Sequence, residues 1–93
     1  APTRYINGST VRNSLIADGC IIHGTVENSI IFRGVKVGKN THIKNSIIMQ
    51  DTITGENVYL NCVITDKNVV IRDGRVLSGH ETHPFFIEKG SCV

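Results

Sequence analysis

A short apolar motif recurs through most of this chain, and its period leaves few folds open. Triplets rich in β-branched residues run from Ser9-Thr10-Val11 to Arg75-Val76-Leu77, and twelve steps over 66 positions give a mean step of 5.5 residues. Gly, Asn and Asp lie between the triplets, as sharp corners require. A strand of three residues cannot satisfy its own backbone groups, so each triplet must pair with equivalent triplets in neighbouring coils. The sequence therefore predicts an all-β fold, a single-stranded parallel β-helix.

A second, longer period gives the number of triplets in each coil. Four related tetrapeptides recur at intervals of 15, 17 and 16 residues: Asn13-Ser14-Leu15-Ile16, Asn28-Ser29-Ile30-Ile31, Asn45-Ser46-Ile47-Ile48 and Asn61-Cys62-Val63-Ile64. Three triplets therefore make one coil. Residues 1–77 are predicted to form a little over four triangular coils, and residues 78–93 a C-terminal capping segment.

The alternation of side chains across a strand assigns an inside and an outside to each triplet. The first and third residues should face inward and the middle residue outward. The outward residues then form an apolar column (Leu15, Ile30, Ile47 and Val63), a largely apolar column (Ile21, Lys36, Ile53 and Val70) and a mixed column (Thr10, Val26, His42, Tyr59 and Val76). Glu27, Thr54 and Arg75 break the inward pattern, so we expect a bulge, a distortion or an exposed coil end at each.

The wholly apolar column is the candidate interface. A continuous exposed apolar stripe usually marks a contact surface, so Leu15, Ile30, Ile47 and Val63 are expected to contact another subunit or domain. The alternative is that residues 78–93, which include Phe85 and Phe86, fold over the column and cover it.

Neither the composition nor the motifs predict nucleic-acid binding, a catalytic residue or a metal site. A net charge of +2 and the absence of tryptophan give no basis for nucleic-acid binding. The three cysteines have no CxxC or metal-ligand spacing, and His80-Glu81-Thr82-His83 is not the zinc-protease motif, so no catalytic residue and no metal site are predicted. Without an apolar span or a secretory leader, the chain is expected to be cytoplasmic, with no membrane partner.

Several segments together resemble one known family. They are Tyr5-Ile6-Asn7-Gly8, Val11-Arg12-Asn13-Ser14-Leu15-Ile16, Gly24-Thr25-Val26-Glu27-Asn28-Ser29-Ile30-Ile31-Phe32-Arg33-Gly34-Val35, Lys44-Asn45-Ser46-Ile47-Ile48-Met49-Gln50, Gly55-Glu56-Asn57-Val58 and Asp66-Lys67-Asn68-Val69-Val70-Ile71. These segments resemble the C-terminal β-helix domain of bacterial glucose-1-phosphate adenylyltransferase (ADP-glucose pyrophosphorylase). Within that family they resemble most the D-type accessory subunit of glycogen synthesis.

The resemblance implies more than the residues show by themselves. It implies a left-handed coil, and a parent protein that converts ATP and glucose 1-phosphate to ADP-glucose and pyrophosphate, using ATP and Mg²⁺. The glycine-rich signature and the metal-binding aspartates of the nucleotidyltransferase domain do not occur here, so we expect a C-terminal fragment without a cofactor of its own. Its partners would be the missing catalytic domain, other subunits of a homo- or hetero-tetramer, and a phosphorylated small-molecule effector. By position, Arg33, Arg72, Arg75 and Lys89 are nominated to bind that effector.

Two other functions stay open at this stage. A minimal hexapeptide acyltransferase would use His23 or His42 as a general base, although the long inserted loop and extra coils of such enzymes do not occur in the chain. A β-helix domain from another sugar-phosphate nucleotidyltransferase, such as the GDP-mannose type, would differ only in the sugar that the parent uses.

Overall fold

A computed structural model describes residues 2–93, and their regular structure consists of fifteen short β-strands. In chain order these are β1 (Arg4–Tyr5), β2 (Thr10–Arg12), β3 (Leu15–Ile16), β4 (Ile21–Ile22), β5 (Thr25–Glu27), β6 (Ile30–Ile31), β7 (Lys36–Val37), β8 (His42–Lys44), β9 (Ile47–Ile48), β10 (Ile53–Thr54), β11 (Tyr59–Asn61), β12 (Val63–Thr65), β13 (Val70–Ile71), β14 (Val76–Ser78) and β15 (Phe85–Ile87). Every strand has two or three residues, as the triplet pattern predicts.

The strands form three parallel sheets that make the sides of a prism. The first sheet has the order β1-β4-β7-β10-β13, the second β2-β5-β8-β11-β14 and the third β3-β6-β9-β12-β15. From β1 to β13 the chain completes four coils, and β14 and β15 continue the winding. The predicted all-β solenoid of a little over four coils is therefore confirmed, while its left-handed winding stays a prediction.

Asparagines make the corner between the second and third sheets. Asn13, Asn28 and Asn45 adopt the left-handed conformation, with φ of 48°, 48° and 49°. Asparagine tolerates this region better than other residues that carry a side chain. In the fourth coil the same place is taken by Cys62, with φ of 55°.

The position of Cys62 corrects one prediction. Because β11 extends through Asn61, the fourth repeat begins one residue later than the tetrapeptide pattern indicated, and Ile64 pairs with Ile47. Val63 faces the core and is 0% exposed. The assignment of Val63 to the exposed apolar column is therefore wrong, and Ile64 lies there instead.

A short corner corrects a second prediction. β5 begins three residues after Ile22, whereas β8 begins five residues after Val37. The corner before β5 is therefore two residues shorter than the corner before β8. Thr25 consequently pairs with His42, and Val26 is buried. Val26 does not belong to the mixed outward column.

The three pattern-breaking residues have different explanations. Glu27 lies on the outer face of β5, so no bulge is needed to accommodate it. Thr54 is buried, and its hydroxyl accepts a hydrogen bond from the Gly38 N–H at 3.3 Å. Arg75 is exposed in the last coil, which agrees with the expected coil end.

The C-terminal segment continues the stack. β15 pairs with β12 in the third sheet, and Cys92 forms a bridge to Val70 beside the first sheet. Ile87 is 4% exposed and joins the core. Residues 78–93 therefore extend the prism and do not fold over its side.

The interior combines stacked aliphatic side chains with a ladder of serine hydroxyls. Ile22, Ile31, Ile43 and Ile48 are among the buried aliphatics. At the corner that follows the second sheet, the Ser46 hydroxyl donates to the Lys44 carbonyl at 2.6 Å and accepts from the Val63 N–H at 3.2 Å. Ser14 and Ser29 do the same in the coils before it. These hydroxyls satisfy the N–H groups of Ser29, Ser46 and Val63 at the turn, whereas the carbonyls that they bond also accept a backbone N–H from the next coil.

This ladder leads to a stability prediction. Ser46→Ala leaves the buried Val63 N–H without its hydroxyl partner, while the Lys44 carbonyl keeps the Cys62 N–H, so the free energy of unfolding should fall by about 1–3 kcal/mol in a urea titration. Ser14→Ala is the matched control, because the half-exposed Ser14 hydroxyl makes the same two bonds where water reaches it. Equal losses in the two variants would contradict the role of burial.

Candidate functional site

The outward side chains of the third sheet form one apolar column. Strand pairing places them in a line from the first coil to the last, and they are Leu15, Ile30, Ile47, Ile64 and Phe86. Leu15 is 70% exposed, Ile30 40% and Phe86 54%. No Asp, Glu, Lys or Arg occurs in the five strands of this sheet. We call this surface the apolar face.

Polar amides border the apolar face along one edge. The Asn13 side chain donates to Asn28 Oδ1 at 2.6 Å, and the Asn45 side chain donates to Asn61 Oδ1 at 3.1 Å. A shallow depression lined by Leu15, Ile30 and Phe32 lies on the apolar side of the first two coils. The face is therefore a continuous apolar strip with a hydrogen-bonding rim.

The structure argues against one of the two explanations of the apolar stripe, that residues 78–93 cover it. Residues 78–93 add β15 to the end of the third sheet, so they leave Leu15 and Ile30 open. Leu15, Ile30 and Ile47 lie in the column as predicted, and Ile64 and Phe86 complete it. Their role as an interface stays a prediction.

A charged cluster occupies the outer face of the second sheet. Glu27 Oε1 lies 2.9 Å from His42 Nε2 and 3.5 Å from Arg12 Nη2. Since a carboxylate only accepts, His42 donates this hydrogen bond. The His42 bond, with the positive charges of Arg12 and Lys44, lowers the pKa of Glu27. The cluster orients His42 toward a structural partner.

The other candidate chemical residues lie apart from one another. His23 is in the short corner before β5, and His80 and His83 bridge through their backbones in an exposed loop. Cys20 and Cys62 are buried free thiols, and Cys92 is an exposed one. Within residues 2–93, no three His, Cys, Asp or Glu side chains are placed to hold a metal ion. The described part of the chain also has no helix long and apolar enough to cross a membrane.

Two of the four nominated effector residues come together. Arg72 and Arg75 line one shallow depression with Asp73, over an apolar shelf made by Ile53 and Val70. Arg33 lies on a different corner, in a depression that also contains Asp18 and Asp51. Lys89 follows β15 in the last coil. The structure therefore places Arg72 and Arg75 beside one depression and Arg33 beside another, and the binding role of all four residues stays a prediction.

Ile64 and Phe86 are the residues of the apolar face that sequence analysis missed. The spacing held a usable signal, because Cys62 follows Asn45 by the same 17 residues that separate Asn45 from Asn28. Phe86 lies beyond a loop at residues 80–84, so the repeat spacing alone does not place it.

Comparison with known proteins places the chain among hexapeptide-repeat proteins. Residues 3–83 match the family model described as GlmU-like, C-terminal hexapeptide. The glycogen biosynthesis protein GlgD of Bacillus subtilis (strain 168) is 49% identical over 89 residues, which cover 96% of this chain and 26% of that protein. The glucose-1-phosphate adenylyltransferase of Acetivibrio thermocellus is 35% identical over 98 residues, covering 99% of this chain and 23% of the enzyme. The chain thus spans about a quarter of the length of these curated relatives.

The charged cluster predicts a pH dependence of stability. The pKa of Glu27 is lowered in the folded state, so its ion pairs stabilise the fold above the ordinary value of 4.5 and are lost as the pH falls below it. Between about pH 6 and pH 3, the melting temperature of the wild type should fall more steeply than that of Glu27→Gln. Glu56→Gln, at an exposed position without a side-chain ion pair in residues 2–93, is the control. Parallel curves for wild type and Glu27→Gln would contradict the prediction.

Proposed function

The chain belongs to the GlmU-like C-terminal hexapeptide family, and on this basis we propose that it is the C-terminal assembly and regulatory domain of a glucose-1-phosphate adenylyltransferase-type protein. The names of the relatives support this proposal, as does the match to about a quarter of their length. The parent protein would act in glycogen synthesis in the cytoplasm, in the reaction of ATP with glucose 1-phosphate. The 49% identity to GlgD favours the D-type accessory subunit.

The apolar face is the observation that carries the proposal. Its side chains include Leu15 and Phe86, which are more than half exposed, and its strands contain no charge that a partner would have to compensate. Large exposed apolar patches of this kind mark interaction surfaces. The partner would be another subunit of a homo- or hetero-tetramer, or the catalytic domain that precedes this one.

Chemistry is assigned to the rest of the parent protein. By resemblance, ATP and Mg²⁺ are held by the glycine-rich signature and the aspartates of the nucleotidyltransferase domain, and these motifs do not occur in this sequence. Binding of ATP and of Mg²⁺ would therefore belong to the nucleotidyltransferase domain, and this domain would hold subunits together and transmit regulation.

Arg72 and Arg75 supply the regulatory part of the proposal. Both residues line a common depression that also contains Ile53 and Val70. Arginine pairs bind phosphate through charge-assisted hydrogen bonds, and Ile53 and Val70 would accommodate the carbon skeleton of the ligand. A phosphorylated small molecule suits this combination.

Solution mass tests the assembly role, in the isolated chain and in the full-length protein that would contain it. Ile30→Lys combined with Ile47→Lys places two charges in the proposed contact, which should dissociate the assembly while the domain stays folded. Ile53→Lys combined with Val70→Lys is the matched control, because Ile53 (41%) and Val70 (40%) on the first sheet are as exposed as Ile30 (40%). The function is contradicted if neither protein changes its mass with the first pair of substitutions.

Thermal unfolding with added ligands tests the regulatory role. A ligand at ten times its dissociation constant stabilises the native state by about 1.4 kcal/mol, so glucose 1-phosphate should raise the melting temperature of the wild type. Arg72→Gln combined with Arg75→Gln should abolish the shift, whereas Arg33→Gln should preserve it. A shift with acetyl-CoA and none with glucose 1-phosphate would favour an acyltransferase instead.

A further inference from the structure

We propose that Asn7 is a site of covalent modification, at which the side-chain amide is lost and the residue becomes aspartate or isoaspartate. Asn7 and Gly8 occupy the corner between β1 and β2 in the first coil, and both residues are exposed. They form the one Asn-Gly pair in the sequence. The reaction needs water but no ligand or partner, so it is independent of the proposed assembly role.

The reaction joins the backbone nitrogen of Gly8 to the side-chain carbon Cγ of Asn7. The Cγ–Nδ2 bond breaks, and ammonia leaves with the hydrogen that the Gly8 nitrogen loses, which closes a succinimide ring. Water then opens the ring on either side. Cleavage between the Gly8 nitrogen and Cγ gives aspartate, whereas cleavage between that nitrogen and the main-chain carbonyl carbon of residue 7 gives isoaspartate. Nothing is oxidised or reduced.

The Gly8 nitrogen is open to this reaction. Within residues 2–93 its N–H donates no hydrogen bond, whereas the Ser9 N–H donates to the Ile6 carbonyl at 2.9 Å. Residues 6–9 therefore form a β-turn, and its third residue, Gly8, has φ of 92°, as in a type II turn. In the described chain, no heavy atom beyond the two chain neighbours lies within 4 Å of the place that a Cβ of Gly8 would take. Glycine can reorient there with little strain, which brings Asn7 Cγ within reach of the nitrogen.

The Asn7 side chain is also unrestrained. Among the residues that the structure describes, it has no hydrogen-bond partner, whereas the Asn13 amide donates to Asn28 Oδ1 at 2.6 Å and the Asn45 amide donates to Asn61 Oδ1 at 3.1 Å. An amide that is held in this way must break its hydrogen bond before its carbon can be attacked. Asn7 has no such bond to break.

The backbone protects most of the other asparagines. Five residues that follow an asparagine have a hydrogen-bonded N–H, and they are Ser29, Thr41, Ser46, Val58 and Cys62. Asn68 precedes Val69, which is 0% exposed, so water and base do not reach that nitrogen. Asn7 therefore combines three features: a free amide, a free nitrogen after it and no side chain on the attacking residue.

Isoaspartate at this position would weaken the first coil. It adds a carbon atom to the main chain inside the turn that the Ser9 N–H and the Ile6 carbonyl close. On the two sides of this turn, β1 pairs with β4 and β2 pairs with β5, so a longer turn strains both pairings. Each coil of a solenoid contacts only its neighbours, so the damage stays local. Aspartate leaves the main chain unchanged, and either product lowers the formal net charge by one from +2.

Peptide mapping tests the site. Trypsin cleaves after arginine, so Arg4 and Arg12 bound a peptide, residues 5–12, in which Asn7 is the one asparagine. The folded chain is incubated in mildly alkaline buffer, which favours loss of the Gly8 amide proton, and is digested before and after. The peptide should gain the mass difference between an amide and an acid and separate into two products of equal mass. The next peptide, residues 13–33, contains Asn13 and Asn28 and should stay unchanged.

Asn7→Gln is the matched variant, because glutamine keeps an exposed amide on a side chain that is too long to close the same ring. It should stay unmodified and keep the melting temperature of fresh wild type. Ion exchange and peptide analysis distinguish the products of the incubated wild type, and the isoaspartate form should melt at a lower temperature than the aspartate form. Equal melting temperatures of the two forms would contradict the weakening of the first coil.

A synthetic peptide of residues 5–12 gives the reference rate without the fold. The folded chain should convert at a rate within a few-fold of this peptide. Conversion of the peptide while the folded chain stays intact would overturn the proposal, since the corner would then be closed to the reaction. Equal conversion of residues 13–33 and residues 5–12 in the folded chain would also overturn it, because the fold would then not select Asn7.

Discussion

Backbone pairing between successive coils is the constraint on which the rest of this structure depends. A strand of two or three residues has no stability alone, so each N–H must find a carbonyl one coil away, as Ile21 N–H does with Val35 O at 3.0 Å and Phe32 N–H with Ile48 O at 2.9 Å. Every corner must therefore bring the next strand into register with the strand one coil before it. Positive φ at Asn13, Asn28 and Asn45 and the serine hydroxyls beside them meet that requirement, because they turn the chain without leaving its backbone groups unpaired.

The same constraint creates the surface features. Stacking brings residues 15–17 positions apart into direct contact, so a side chain repeated once per coil becomes a continuous column. On the third sheet this yields an apolar face, because leucine, isoleucine and phenylalanine recur there. On the second sheet it yields the cluster of Arg12, Glu27 and His42, whose members are distant in sequence and adjacent in space. Substitutions in one outward column can therefore change the function of that surface while the core side chains stay the same.

The period of the sequence predicts the solenoid, its triangular section and most of its columns, but it does not predict the length of each corner. Glu27 breaks the triplet pattern when Val26 is placed outward, and the short corner after Ile22 is the reason that Val26 faces inward instead. The asparagine at position 61 imitates the corner asparagines, whereas the chain turns at Cys62 and buries Val63. One residue of error reverses inside and outside in a strand. Interactions across coils, such as that of Glu27 with His42, depend on that register and could not be predicted before it was known.

A rigid prism is suited to holding other domains in a fixed arrangement. The spacing of its exposed side chains is set by backbone hydrogen bonds, so little conformational entropy is lost when the apolar face is covered. The loops of many enzymes that bind substrates are more mobile than this. In this chain the exposed apolar side chains sit on strands, while Arg72 and Arg75 lie at the far end of the stack, beside a corner. The domain would move as a unit when a ligand binds at that corner. A change in the position of the whole domain, and not a change within it, would then affect the subunits that it contacts.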